Sequence, residues 1–156
     1  MARIEWKRIC CPVDFSQPSR AALETAVELA RRFEAELTIF HAFAVAGLTF
    51  PTGDVMLTQN MIDRAESEVD ELLGSWKKEA EQLGAPKVSA TKAIGVPFVE
   101  IVRFAREGNF DLIIMGTHGR TGLKHALLGS VAEKVLRKAP CPVLTVRPKT
   151  SRAELP

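Results

Sequence analysis

The reading turns on residues 110–130, FDLIIMGTHGRTGLKHALLGS. Residues 111–115, DLIIM, form a short apolar run of the kind that fills a strand buried on both faces. The chain then passes four glycines, Gly116, Gly119, Gly122 and Gly129, with His118, Arg120, Lys124 and His125 among them. At Val131, Val135 and Leu136 the spacing becomes helical, and Ala139-Pro140 stops it. Strand, glycine loop and helix in that order describe one unit of an α/β protein. They also raise two readings of the loop: an irregular turn, or a cradle for an anion.

The same alternation extends both ways along the chain. Residues 8–13, RICCPV, are a strand ending at Asp14. Ser16 and Pro18 then mark a helix start, as N-cap and first-turn proline. Ala22, Ala26, Leu29, Ala30 and Phe33 continue at helical spacing. Residues 36–42 read as a second strand, and residues 43–57, with Gly47, Pro51 and Gly53, as a long loop. A long helix carries Met61, Ala65, Val69, Leu72, Leu73, Trp76, Ala80 and Leu83, and Gly84 and Pro86 end it. Residues 87–93 alternate as a strand with one less buried face. Gly95-Val96-Pro97 opens a helix with Val99, Val102 and Ala105 on one side, and residues 142–147 are the last strand. Strands alternating with helices predict a parallel sheet with helices on both faces. Ligands in such open sheets sit at the carboxyl ends of the strands, where the winding reverses. Pattern alone leaves the strand order open. A reversal between strands 1 and 4 would bring Asp14 to Gly116, whereas a flavodoxin-like order would reverse between strands 1 and 3.

With 156 residues, one domain is expected, residues 1–148, followed by a frayed tail over 149–156. A net charge of +2, without any block of five like charges, argues against nucleic acid or an anionic membrane as partner. No apolar run reaches signal-peptide or membrane-span length, so a cytoplasmic protein is expected. Three cysteines, Cys10, Cys11 and Cys141, have neither Cys-x-x-Cys nor metal-ligand spacing, and read as small buried hydrophobes.

The glycine loop is neither a Walker loop, lacking Gly-Lys-Ser/Thr, nor a Rossmann fingerprint. Glycines do let backbone N–H groups approach a ligand closely, and Gly129-Ser130 stands just before a helix whose N-terminus favours phosphate. Gly116-x-x-Gly119, nine residues, then Gly129-Ser130 resembles the G-2x-G-9x-G-S/T signature of the ATP-binding universal stress proteins. Pro12-Val13-Asp14-Phe15-Ser16 and Ala139-Pro140-Cys141-Pro142-Val143-Leu144 are similar to that family's flanking segments, so the resemblance covers nearly the whole chain.

The resemblance implies an open five-stranded sheet of order 3-2-1-4-5 and an adenine nucleotide as ligand: ATP, with Mg. Carried over by position, Pro12, Val13 and Asp14 would line the adenosine, with Asp14 accepting from ribose hydroxyls. Ala42 would contact adenine, and Met115 and Gly116 would lie under the nucleotide. Gly119, Gly129, Ser130 and Val131 would hold the phosphates, Ser130 also reaching a phosphate-bound Mg. It further implies a homodimer through residues 142–147.

The residues themselves offer competing roles. Asp14 could only organise the turn into the first helix, Ser16 is an N-cap, and His41 is a satisfied, partly buried histidine. No catalytic residue is assigned, because no Walker lysine, carboxylate pair or general base is evident. Binding without turnover is therefore expected. The alternatives are a slow ATP hydrolase or phosphotransferase using the same pocket, and a nucleotide-free interaction module of the same fold.

Overall fold

A computed structural model describes residues 3–44, 59–118 and 128–149. Its elements alternate as expected: β1 (Arg8–Pro12), α1 (Gln17–Phe33), β2 (Glu36–Phe43), α2 (Gln59–Gln82), β3 (Lys87–Ile94), α3 (Pro97–Glu107), β4 (Leu112–Gly116), α4 (Ser130–Lys138) and β5 (Val143–Val146). The strands form one parallel sheet in the order β3-β2-β1-β4-β5. The reversal therefore lies between β1 and β4, where Ile9 pairs with Leu112 and Cys10 with Ile113.

Asp111 sets that pairing. Its Oδ2 accepts from the amides of Lys7 and Arg8 at 2.8 Å each, and its own amide donates to the Arg8 carbonyl. Expected as the first strand residue, Asp111 precedes β4 and clamps it to the start of β1.

Strand periodicity divides the core in two. Ile9, Cys11, Leu37, Ile39, Leu112 and Ile114 point to α1 and α2, where Ala22, Leu23, Ala26, Leu73 and Trp76 meet them. Cys10, Phe40, Ile113 and Met115 point to α3 and α4, against Ile101, Ala105, Ala132 and Val135. The central strands are buried along their length, while edge strand β3 leaves Lys87, Ser89 and Thr91 exposed. Lysine and hydroxyl side chains on an edge discourage pairing with another chain.

Two helix faces differ from the expected ones. In α2 the buried stripe is Val69, Leu73, Trp76 and Ala80, whereas Leu72 is 40% exposed and Met61 and Leu83, at or beyond its ends, are 49% and 46% exposed. At 1.5 Å per residue α2 is about 36 Å long and outruns the eight-residue strand beneath it, so its ends have no sheet to cover. In α3 Ile101, Val102 and Ala105 are buried, and Val99 is 45% exposed. Residues 99 and 102 step by three, so they share a flank, but the sheet meets the helix on the flank that Ile101 and Ala105 define.

Cys10 and Cys11 are fully buried and Cys141 is intermediate. The long-loop expectation for residues 43–57 lies outside the described residues from position 45 onward, as does the tail from 150.

Candidate functional site

The sheet's carboxyl edge opens into a cavity of about 220 Å³ between β1 and β4. Pro12, Val13, Asp14, Ala42, Met115, Gly116, Gly129, Ser130 and Val131 all line it. Gly119 lies outside the described residues, as do Arg120, Lys124 and His125. Six further lining residues, Ser19, Phe40, Pro97, Ile101, Thr117 and Ala132, were not expected in the site from the sequence. Phe40 had a signal: it stands two residues before Ala42 on the same strand and so faces the same side. Pro97 and Ile101 had none, because only the packing of α3 against the sheet brings them to the cavity.

Part of the cavity lining is apolar. Phe40, Ile101, Met115 and Ala132 form this wall, and Phe40 is stacked on Phe104 with ring centroids 4.3 Å apart and planes within 4°. A flat planar ligand would meet a wall already held in place from behind. Another part of the lining comes from the strand ends and the start of α4. The Gly129 amide donates to the Thr117 carbonyl at 2.6 Å, and the Thr117 amide donates to the Val146 carbonyl. The start of α4 is thereby tied to the ends of β4 and β5. Gly129 is the N-cap of α4, with φ −69° and ψ 161°, and among the described residues no side chain caps the helix there. Its first-turn N–H groups, which no intrahelical carbonyl can reach, carry the positive end of the helix dipole. Thr117 is buried, and its hydroxyl lies 3.0 Å from His118 Nδ1.

Asp14 stands at the β1 side. Its Oδ1 accepts from the Ser16 amide at 3.0 Å, from the Ser19 hydroxyl at 2.6 Å and from the Ser16 hydroxyl. The turn-organising role weighed for Asp14 is therefore real. Ser16 is the N-cap of α1, accepting from the Ser19 amide.

The residue after Asp14 is strained. Phe15 has φ 64°, a left-handed conformation that costs a non-glycine residue roughly 1–2 kcal/mol. Its ring is held between His41, with centroids 4.6 Å apart, and the edge of Trp76 at 5.3 Å. His41 is buried, more than expected, and its Nδ1 donates to the Val13 carbonyl at 2.6 Å. The backbone of Val13 is further held by its amide, which donates to the Phe40 carbonyl. The end of β1 is thus fixed from the face of the sheet opposite the apolar pocket wall.

Among the described residues no three His, Cys, Asp or Glu side chains gather as a metal site. Over residues 5–147 the chain matches the model of the universal stress protein family. It belongs to that family. Universal stress protein MJ0531 of Methanocaldococcus jannaschii is 40% identical over 144 residues, 91% of this chain and 82% of the relative. The solved structure of protein MJ0577, a universal stress protein of the same organism, matches at 34% identity with a TM-score of 0.81, covering 95% of this chain and all of that one. A universal stress protein solved in complex with cAMP matches at 24% identity and a TM-score of 0.70, over 94% of this chain and all of that one; at that distance the likeness concerns the fold alone. This universal stress protein thus shares its sheet order and its helical layers with solved members of the family.

Proposed function

We propose that this universal stress protein binds ATP in the cavity between β1 and β4 and acts in the cytoplasm as a nucleotide-dependent stress or regulatory factor. The observation that carries the reading is the start of α4, which no side chain caps among the described residues and which lines a cavity that also has an apolar wall. Such a site suits a ligand that is planar and apolar at one end and anionic at the other. Adenine would lie against Phe40 and Ala42, the ribose at Asp14, and the phosphates over the N–H groups of Gly129, Ser130 and Val131. A volume of about 220 Å³ is below the range of roughly 300–1,000 Å³ common for ligand pockets, so the phosphates would extend across the mouth. Mg would arrive on the phosphates, where the Ser130 hydroxyl would be the protein group to meet it.

Asp14 is the one carboxylate lining the cavity among the described residues, and its Oδ1 is engaged by two serines. A backbone cradle holds substrate and product phosphates with similar geometry and so supports affinity more than rate. We therefore read the protein as a binder whose turnover lies well below the roughly 1–100 s⁻¹ of kinases. Residues 1–148 act as one domain with 149–156 as a tail, and two copies pair through residues 142–147. No helix among the described residues is long and apolar enough to cross a membrane.

The test is to acid-denature purified protein and identify the released nucleotide, then to incubate native protein with ATP and Mg and follow ADP. Released or titrated ATP with negligible ADP is expected. Absence of ATP binding by calorimetry would overturn the reading, and ADP formed at kinase rates would make the protein an enzyme.

A further inference from the structure

Ser19 stands outside every strand-end and glycine motif, yet it lines the cavity and is only 5% exposed. Its hydroxyl makes two short bonds to a single residue, donating to Asp14 Oδ1 at 2.6 Å and accepting from the Asp14 amide at 2.9 Å, and a longer one from the Ser16 hydroxyl at 3.4 Å. Both the backbone and the carboxylate of Asp14 are thus held by one oxygen.

Helix capping does not require this arrangement. In a capping box the third helical residue reaches back to the amide of the N-cap. Ser19 is the third residue of α1 and Ser16 its N-cap, but the Ser16 amide is already taken by Asp14 Oδ1. Ser19 reaches past the N-cap to Asp14 instead. The Ser16 hydroxyl meanwhile supplies the cap, accepting from the Ser19 amide. The two short bonds of the Ser19 hydroxyl both go to Asp14. An aspartate side chain has three staggered χ1 wells and a broad χ2, and a tether to its own backbone and to one of its oxygens restricts both.

We propose that Ser19 is a positioning residue that presents the Asp14 carboxylate to the vicinal hydroxyls of a ribose, and so sets a preference for ribonucleotides over nucleotides lacking those hydroxyls. This rests on the ribose role of Asp14 proposed above. Ser19 touches the sugar only through Asp14. Without its hydroxyl the carboxylate keeps both Ser16 donors, so the turn survives, but it loses the tether that joins its oxygen to its own backbone amide. The loss falls on ligands that use the carboxylate and spares those that do not.

Calorimetry with ATP and with 2′,3′-dideoxy-ATP, on wild type and Ser19→Ala, tests this. Alanine suits a helical position, and dideoxy-ATP binding reports whether the variant's pocket is intact. Wild type is expected to favour ATP over dideoxy-ATP. Ser19→Ala is expected to lose about fivefold in ATP affinity, the equivalent of one neutral hydrogen bond, with dideoxy-ATP unchanged. Equal weakening of both ligands, or an undiminished preference for ATP, would overturn the role of Ser19 and leave that of Asp14 standing. A wild type indifferent to the ribose hydroxyls would overturn the Asp14 assignment and this inference together. A wild type that binds neither ligand would overturn the nucleotide reading itself.

Discussion

The Gly129 amide donates to the Thr117 carbonyl at 2.6 Å, joining the N-cap of α4 to the end of β4. That bond and the packing of Ala132 and Val135 together hold the positive end of that helix at the cavity. The Thr117 amide continues the link to Val146 at the end of β5.

Gly129→Val tests the cradle. With φ −69° and ψ 161°, the position accepts any residue without backbone strain, so the variant should fold. A branched side chain there blocks close approach of a phosphate. ATP should weaken by about tenfold or more, about 1.4 kcal/mol, while adenosine binds as before. Parallel loss of both ligands in calorimetry would refute the phosphate role.

Asp14→Ala should have two separable effects. Loss of the turn into α1, where Oδ1 accepts from Ser16, should cost about 1 kcal/mol in denaturant unfolding, comparable to removing a cap. Loss of a charge-assisted bond to ribose should weaken ATP by roughly 10- to 100-fold. A variant that shows only the first effect would confine Asp14 to the turn.

Gly116 serves packing as well as the cavity. A Cβ at Gly116 would sit 2.8 Å from the Pro18 carbonyl carbon and 2.9 Å from its oxygen and Cβ. That neighbour is the first turn of α1 and cannot swing aside as a flexible side chain could. Gly116→Ala should therefore cost about 1–3 kcal/mol, read as a lower urea midpoint at unchanged slope. An unshifted midpoint would show that α1 moves at no cost.

The cysteines should differ in reactivity. Burial pushes the Cys11 thiol up to about 12 and raises Cys10 well above its ordinary range, the latter also through Cys11 and Cys141. Cys141 is raised as well, first by partial burial and then by the charge of Asp111. Native protein treated with iodoacetamide at pH 8 should be labelled at Cys141 alone, and slowly, and at all three cysteines once unfolded; labelling of Cys10 or Cys11 in folded protein would contradict this. The stability consequence has a definite sign. Folded thiol pKa values above the unfolded value of about 8.5 leave stability intact below that pH and erode it as pH climbs towards about 12. Thermal midpoints should accordingly fall across that alkaline window.

Edge strand β5 should carry the dimer contact. It is four residues long, and Leu144 is 38% exposed on it. Wild type should sediment as a dimer at tens of micromolar and Leu144→Lys as a monomer, because a charge on each side of a two-fold contact faces its own copy. A monomeric wild type would contradict the assembly.

Much of this architecture is written in local spacing. Apolar runs, one alternating stretch and helical spacing mark the nine elements of the described residues, Ser16 and Pro18 mark the start of α1, and Gly129-Ser130 marks that of α4, because such signals depend only on residues a few positions apart. The glycine spacing and its flanks pointed to the family, and through it to the strand order, which periodicity alone left open. What tertiary structure decided are contacts between residues distant in sequence. Asp111 clamps Lys7 and Arg8, His41 holds the Val13 carbonyl, and Pro18 fills the space that Gly116 leaves. Pro97 and Ile101 reach the cavity, while Val99 stays in solvent. Even Ser19, five residues from Asp14, acquires its two bonds only because the turn at Phe15 takes a left-handed conformation, held by Trp76 and His41 from separate elements. A sequence records which residues can form a helix or a strand; which flank of that element meets a neighbour depends on the angle and distance at which the two pack, and many residues far apart in the chain set that jointly.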